Sequence, residues 1–91
     1  MSAHAQRARV LVADDTLQMA RRVSELLRDG AGVDIVGPAS DGEDALRLFV
    51  RARPDGVVLD FNMPRRNGLE VLRAIRASDQ TPWVIMLTNH D

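Results

Sequence analysis

VVLDFNMPRRNGLEVLRAIR, residues 57–76, changes its periodicity part-way along. VVLDF is a short apolar run, rich in β-branched residues and without polar alternation, which is the pattern of a strand covered on both faces of a parallel sheet. Beyond Gly68 the period becomes helical, with Leu69, Leu72 and Ile75 on one stripe and Val71 beside them. Between the two, Pro64 fixes one backbone dihedral and Asn67-Gly68 favours a turn. Asn-Gly is also a hairpin signal, but the helical period that follows argues for a turn into a helix. Asn67 then offers an N-cap oxygen to a helix whose third residue is Glu70. Asp60 closes the apolar run at a place where strand propensity disfavours an acid. A chemical role explains it better than a plain loop position.

The same unit recurs in both directions along the chain. VLVA (10–13), IVG (35–37) and WVIML (83–87) are further apolar runs. Met19, Ala20, Val23, Leu26 and Leu27 form a helical stripe ending near Gly30, and Ala45, Leu46 and Phe49 form another before Pro54. Ser40 to Glu43 reads S-x-x-E, the pattern of a capping box. The order is β-α-β-α-β-α-β, which predicts right-handed crossovers and an α/β fold with a doubly wound parallel sheet. The sequence shows no internal repeat, low-complexity tract or interdomain linker.

A chain of 91 residues makes one domain. Its 12 basic residues against 13 acidic ones give a net charge of −1, so no global field draws it to nucleic acid or to an anionic membrane. All the basic residues are arginines and lysine is absent. With no cysteine, neither a disulfide framework nor a thiolate metal site is available. MSAHAQRAR lacks the apolar core of a signal peptide, and no apolar run approaches spanning length. Residues 1–8 are therefore expected to be a flexible lead-in, and the chain to be cytoplasmic.

In an open α/β sheet, ligands bind beyond the carboxyl ends of the strands, where strand order reverses. Asp14 and Asp15 follow the first run, Asp60 closes the third and Thr88 the fourth, so these polar groups are predicted to converge on one edge. Alone, Asp14-Asp15 reads as a helix cap placed favourably for the helix dipole. Together with Asp60 it becomes a cluster of three carboxylates, whose repulsion is relieved by a cation or by protonation. Oxygen ligands without Cys or paired His suit a hard ion such as Mg²⁺, which meets one or two carboxylates plus a phosphate.

VLVADD, VVLDFNMPRRNGLEVLRAIR and VIMLT, in this order and spacing, resemble the receiver domain of bacterial two-component response regulators. The resemblance covers Arg9 to Thr88 and makes residues 9–91 a partial receiver domain. It implies the flavodoxin-like strand order 2-1-3-4-5, with the fifth strand absent from this chain. It also implies that Asp60 accepts a phosphoryl group from a histidine kinase or phosphotransfer protein. Asp14, Asp15 and Asp60 would hold Mg²⁺ with the main-chain carbonyl of Asn62, and Thr88 would be the switch hydroxyl. Such a domain is not an enzyme beyond phosphorylating and dephosphorylating itself. A complete receiver has five βα units, whereas this chain ends after the fourth strand, so a fragment of a longer regulator is expected. The family's lysine, its fourth and fifth helices and its aromatic switch residue have no counterpart here, and Asn89 stands where a small residue is usual. With the fifth strand missing, Trp83 to Thr88 is expected to be an exposed edge that self-associates.

Three rival readings come from other classes. A non-phosphorylated pseudo-receiver would be a protein-interaction module that kept the shape, and the absence of lysine suits it. A Mg²⁺-dependent phosphohydrolase of the haloacid dehalogenase type needs D-x-D-x-T after its first strand, and ADDT departs from that. A flavodoxin needs a Ser/Thr/Gly-rich phosphate loop, and DDTLQM is not one. Arg65 and Arg66 read as solvated loop charges, and His90 as a solvated residue of the tail.

Overall fold

The computed structural model describes residues 7–87. Residues 1–6 of the expected lead-in, and Thr88, Asn89 and His90, lie outside the described residues. Arg7 and Ala8 already lie against the sheet: the Asp34 N–H donates to the Ala8 carbonyl at 2.9 Å, and Arg7 pairs with the Asp34 carboxylate at 3.5 Å.

The elements are β1 (Arg9–Ala13), α1 (Leu17–Ala31), β2 (Asp34–Ala39), α2 (Gly42–Ala52), β3 (Gly56–Asp60), α3 (Gly68–Ser78) and β4 (Trp83–Leu87). The four strands form one parallel sheet in the order β2-β1-β3-β4. This is the expected flavodoxin-like order, as far as its first four strands.

Alternation along β1 and β3 divides the core. Leu11, Ala13, Val57 and Leu59 pack with Ala45 and Phe49 of α2 and Val71 and Ile75 of α3. Val10, Val12 and Val58 face the other way, with Ala20 of α1. These strands are buried on both sides, which is why they read as unbroken apolar runs. The outer strands differ: β2 is largely exposed, and on β4 Ile85 is 50% and Trp83 43% exposed. Among the described residues, β4 has a partner on one side only.

Several boundaries and faces depart from the sequence reading. On α1 the inward stripe is buried Ala20 and Ser24 with half-buried Val23 and Leu27, while Met19 and Leu26 are exposed. Buried Ser24 satisfies its hydroxyl locally by donating to the Ala20 carbonyl at 2.7 Å. The helix passes Gly30 and stops at Gly32, whose φ of +64° suits a residue without a Cβ. For α2 the cap is Asp41, which accepts from the Asp44 N–H at 2.8 Å, and not the Ser40 to Glu43 box. On α3, Asn67 and Glu70 form the full reciprocal box, but Leu69 turns to solvent. No described helix is long and apolar enough to cross a membrane.

The burial pattern sets the mutational response. Ile75→Ala, at a fully buried position, is expected to cost about 2–5 kcal/mol. Leu26→Ala, on the open face of α1, is expected to stay within about 0.5 kcal/mol. Urea melts of the two variants check this, and equal losses would contradict the assignment of the α1 face.

Candidate functional site

Parallel pairing of β1 with β3 sets Ala13 opposite Leu59, so the residues that follow, Asp14 and Asp60, leave the sheet at the same level. The site stands where strand order reverses, because the chain leaves β1 for β2 on one side and returns to β3 on the other. Carboxylate oxygens of Asp14, Asp15 and Asp60 lie within 4.8 Å of one another. Asp14 is buried, Asp60 half-buried and Asp15 exposed.

Asp14 is held by the backbone on both sides. Its N–H donates to the Ala39 carbonyl at 2.9 Å, and its carboxylate accepts from the Thr16 N–H at 2.9 Å. The bond to Thr16 is local to the turn. The N-cap of α1 is Thr16 itself, with no side-chain capping bond, so neither Asp14 nor Asp15 caps that helix. The capping reading of the acidic pair therefore does not hold, and Asp14 instead closes the turn before the helix through Thr16.

Asp60 accepts from the Asn62 N–H at 3.2 Å, and the Phe61 N–H donates to the Leu87 carbonyl at 2.9 Å, tying the start of the β3–α3 loop to the end of β4. Burial raises the pKa of Asp60 above the ordinary aspartate value, and the nearby Asp14 and Asp15 add to the rise, against the opposing bond from Asn62. Thr16, Met19, Asn62 and Leu87 complete the cleft around the three acids. Exposed Met19 thus lines the site instead of the core, and the sequence period could not separate the two roles. Thr88, the expected switch hydroxyl, follows Leu87 but lies outside the described residues.

The donor set suits a hard divalent cation. Three carboxylates supply oxygen ligands and negative charge, and a partly open cleft leaves room for water and a further anion. Among the described residues, no sulfur or imidazole ligand stands with them in the cluster.

Linkage turns the raised pKa into a stability statement. The folded carboxyl of Asp60 holds its proton more tightly than the unfolded one, so its contribution falls as pH rises from 3.8 through the raised value. In buffer without divalent ions, Asp60→Asn is therefore expected to be more stable than the parent at neutral pH. The gap should close below the ordinary value. Urea melts across that range check it, and a gap that does not change with pH would remove the electrostatic origin.

Comparison with known proteins agrees with this geometry. The family model for the response regulator receiver domain matches residues 10–91. A protein-glutamate methylesterase/protein-glutamine glutaminase of Symbiobacterium thermophilum is 43% identical over 91 residues, covering 99% of this chain and 25% of the relative. The chain thus spans about a quarter of that curated relative's length. Among solved structures, the chemotaxis protein CheY4 of Vibrio cholerae matches with a TM-score of 0.82 at 36% identity, covering 93% of this chain and 71% of that one. The response regulator domain of Thermotoga maritima CheB matches with a TM-score of 0.83 at 31% identity, covering 91% and 61%. With the strand order, the acidic cluster at the switch point and these matches in agreement, the chain belongs to the response regulator receiver domain family.

Proposed function

We propose that this chain is the phosphoacceptor of a cytoplasmic two-component system, taking a phosphoryl group onto Asp60 from a histidine kinase or a phosphotransfer protein. The observation that carries this is the meeting of the Asp14, Asp15 and Asp60 carboxylates at the switch point. Asp14, Asp15 and Asp60, with the main-chain carbonyl of Asn62, are the proposed Mg²⁺ ligands, and Thr88 is the proposed switch hydroxyl. When bound, the cation neutralises the phosphoryl oxygens, without which a carboxylate is too weak a nucleophile. An Asp60 carboxylate oxygen attacks phosphorus in line, the bond from phosphorus to the donor's imidazole nitrogen breaks, and that nitrogen keeps the electron pair. The product is an acyl phosphate on Asp60. Buried Asp14 holds its place through two backbone bonds and keeps the cluster preorganised.

Labelling with a small phosphodonor tests the reading. Asp60 is expected to carry the label through an acid-stable, base-labile bond, in low yield because the chain has no lysine, and Asp60→Asn to carry none. Label persisting in that variant would refute the nucleophile. In parallel, Asp15→Asn should weaken Mg²⁺ binding by more than about tenfold, a loss usual even for outer partners of a metal site. Asp44→Asn, whose carboxylate pairs with Arg47 on α2, should leave binding unchanged. Mg²⁺ binding without any label would favour the interaction module over the phosphoacceptor.

The side of β4 that has no partner among the described residues is the proposed contact for a second copy of this 91-residue chain. Its edge carries no charge or proline between Trp83 and Leu87, and Ile85 is half exposed. Sedimentation at increasing concentration should show association that Ile85→Lys weakens, and a concentration-independent monomer would exclude it.

A further inference from the structure

The β3–α3 loop that carries Asn62 does not stand alone. It lies on the N-terminus of α2, an element that contributes no ligand to the acidic cluster. The Gly42 N–H donates to the Pro64 carbonyl at 3.3 Å, and that same carbonyl accepts from the Arg66 N–H at 2.8 Å. A Cβ at Gly42 would overlap the main-chain oxygen of Arg66, so the loop backbone packs directly against the helix start. Arg65 reaches across with its Nε 3.3 Å from Asp41, whose other carboxylate oxygen caps the helix through the Asp44 N–H. Arg65 has a φ of +71°, a left-handed conformation that a residue with a side chain holds only where its surroundings enforce it.

We propose that Asp41 and Gly42 are positioning residues for the metal site: by clamping Pro64, Arg65 and Arg66 onto the start of α2, they set the place of the Asn62 main chain beside Asp60. This role rests on the assignment of Mg²⁺ to the acidic cluster. The close backbone contact at Gly42 is the dominant part. The guanidinium of Arg65 is largely exposed, and an exposed ion pair contributes little by itself. A glycine is required at position 42 because of the approach of another backbone, since its own φ is not in the left-handed region.

Mg²⁺ titration followed by amide shifts of Asn62 and Asp15 in the full chain tests the proposal, with urea melts alongside. Gly42→Ala is expected to weaken Mg²⁺ about tenfold or more, the scale of an outer partner of a metal site. Asp41→Asn keeps an N-cap oxygen for Asp44 but removes the charge facing Arg65, and is expected to weaken Mg²⁺ by about two- to fivefold with little change in stability. Glu43→Gln, at the same helix start but outside the clamp, should leave both unchanged. The Mg²⁺ concentration for half-maximal labelling should rise in the two clamp variants while the rate at saturating Mg²⁺ stays near the parent's, a split that simple loss of stability would not produce. A folded Gly42→Ala with parental affinity overturns the clamp. If Gly42→Ala does not fold, parental affinity in Asp41→Asn overturns it. A parent chain that itself gives no Mg²⁺ response overturns the metal assignment and the clamp's role together, which separates that failure from failure of the clamp alone.

Discussion

The pairing of β1 with β3, Ala13 opposite Leu59, is the constraint from which the rest of the site follows. In a parallel sheet, strands that pair in register end at one level and point the same way, so the residues after them share an edge. Here those residues are Asp14, Asp15 and Asp60. Their mutual repulsion is offset by the apolar stability of the two strands beneath them, which are buried on both faces. A shift of one position in this register would turn Leu11 and Leu59 away from α2 and α3, so the core and the acidic cluster hold each other in place.

The cost of that arrangement appears at Asp60. A half-buried carboxylate beside two others holds its proton more tightly than a free aspartate. Such a group gains most from a cation that offsets the charge of the cluster, which links the raised proton affinity of Asp60 to the proposed Mg²⁺ ligation. The surrounding loop is built to match. The Phe61, Asn62 and Gly68 N–H groups all have partners, and Met63 is sunk into the core, so little of the segment after β3 is free to move independently.

The two edges of the sheet are less finished than its centre. On β4, Trp83 and Ile85 keep much of their surface in water, and the side of the strand away from β3 has no partner among the described residues. Trp83 also packs its ring over Gly56, where any Cβ would collide with it, so the entry to β4 is shaped by a residue chosen for its lack of a side chain.

Much of this was legible in the sequence. Short β-branched runs bounded by turn residues favour strands, hidden on both faces at β1 and β3 though not at β2 and β4, and their alternation with helical stripes left few topologies. Asp60 and the Asp14-Asp15 pair stood out because acids at the ends of such runs oppose local propensity. Asn67 and Glu70 declared the start of α3 because capping is a local interaction within one turn. What the tertiary structure alone decided is everything that joins residues distant in the chain. Met19 and Leu26 fit a helical stripe by period, yet α1 covers only part of a narrow sheet and leaves both outside. Ser40 has the sequence of a cap, but the register of α2 against the sheet gives that place to Asp41. Arg65, to all appearance a solvated loop charge, meets Asp41 only because α2 and the β3–α3 loop are packed together. Period and capping are set by neighbours along the chain, whereas which face is covered and which charges meet depend on where the crossovers land, and no local pattern records that.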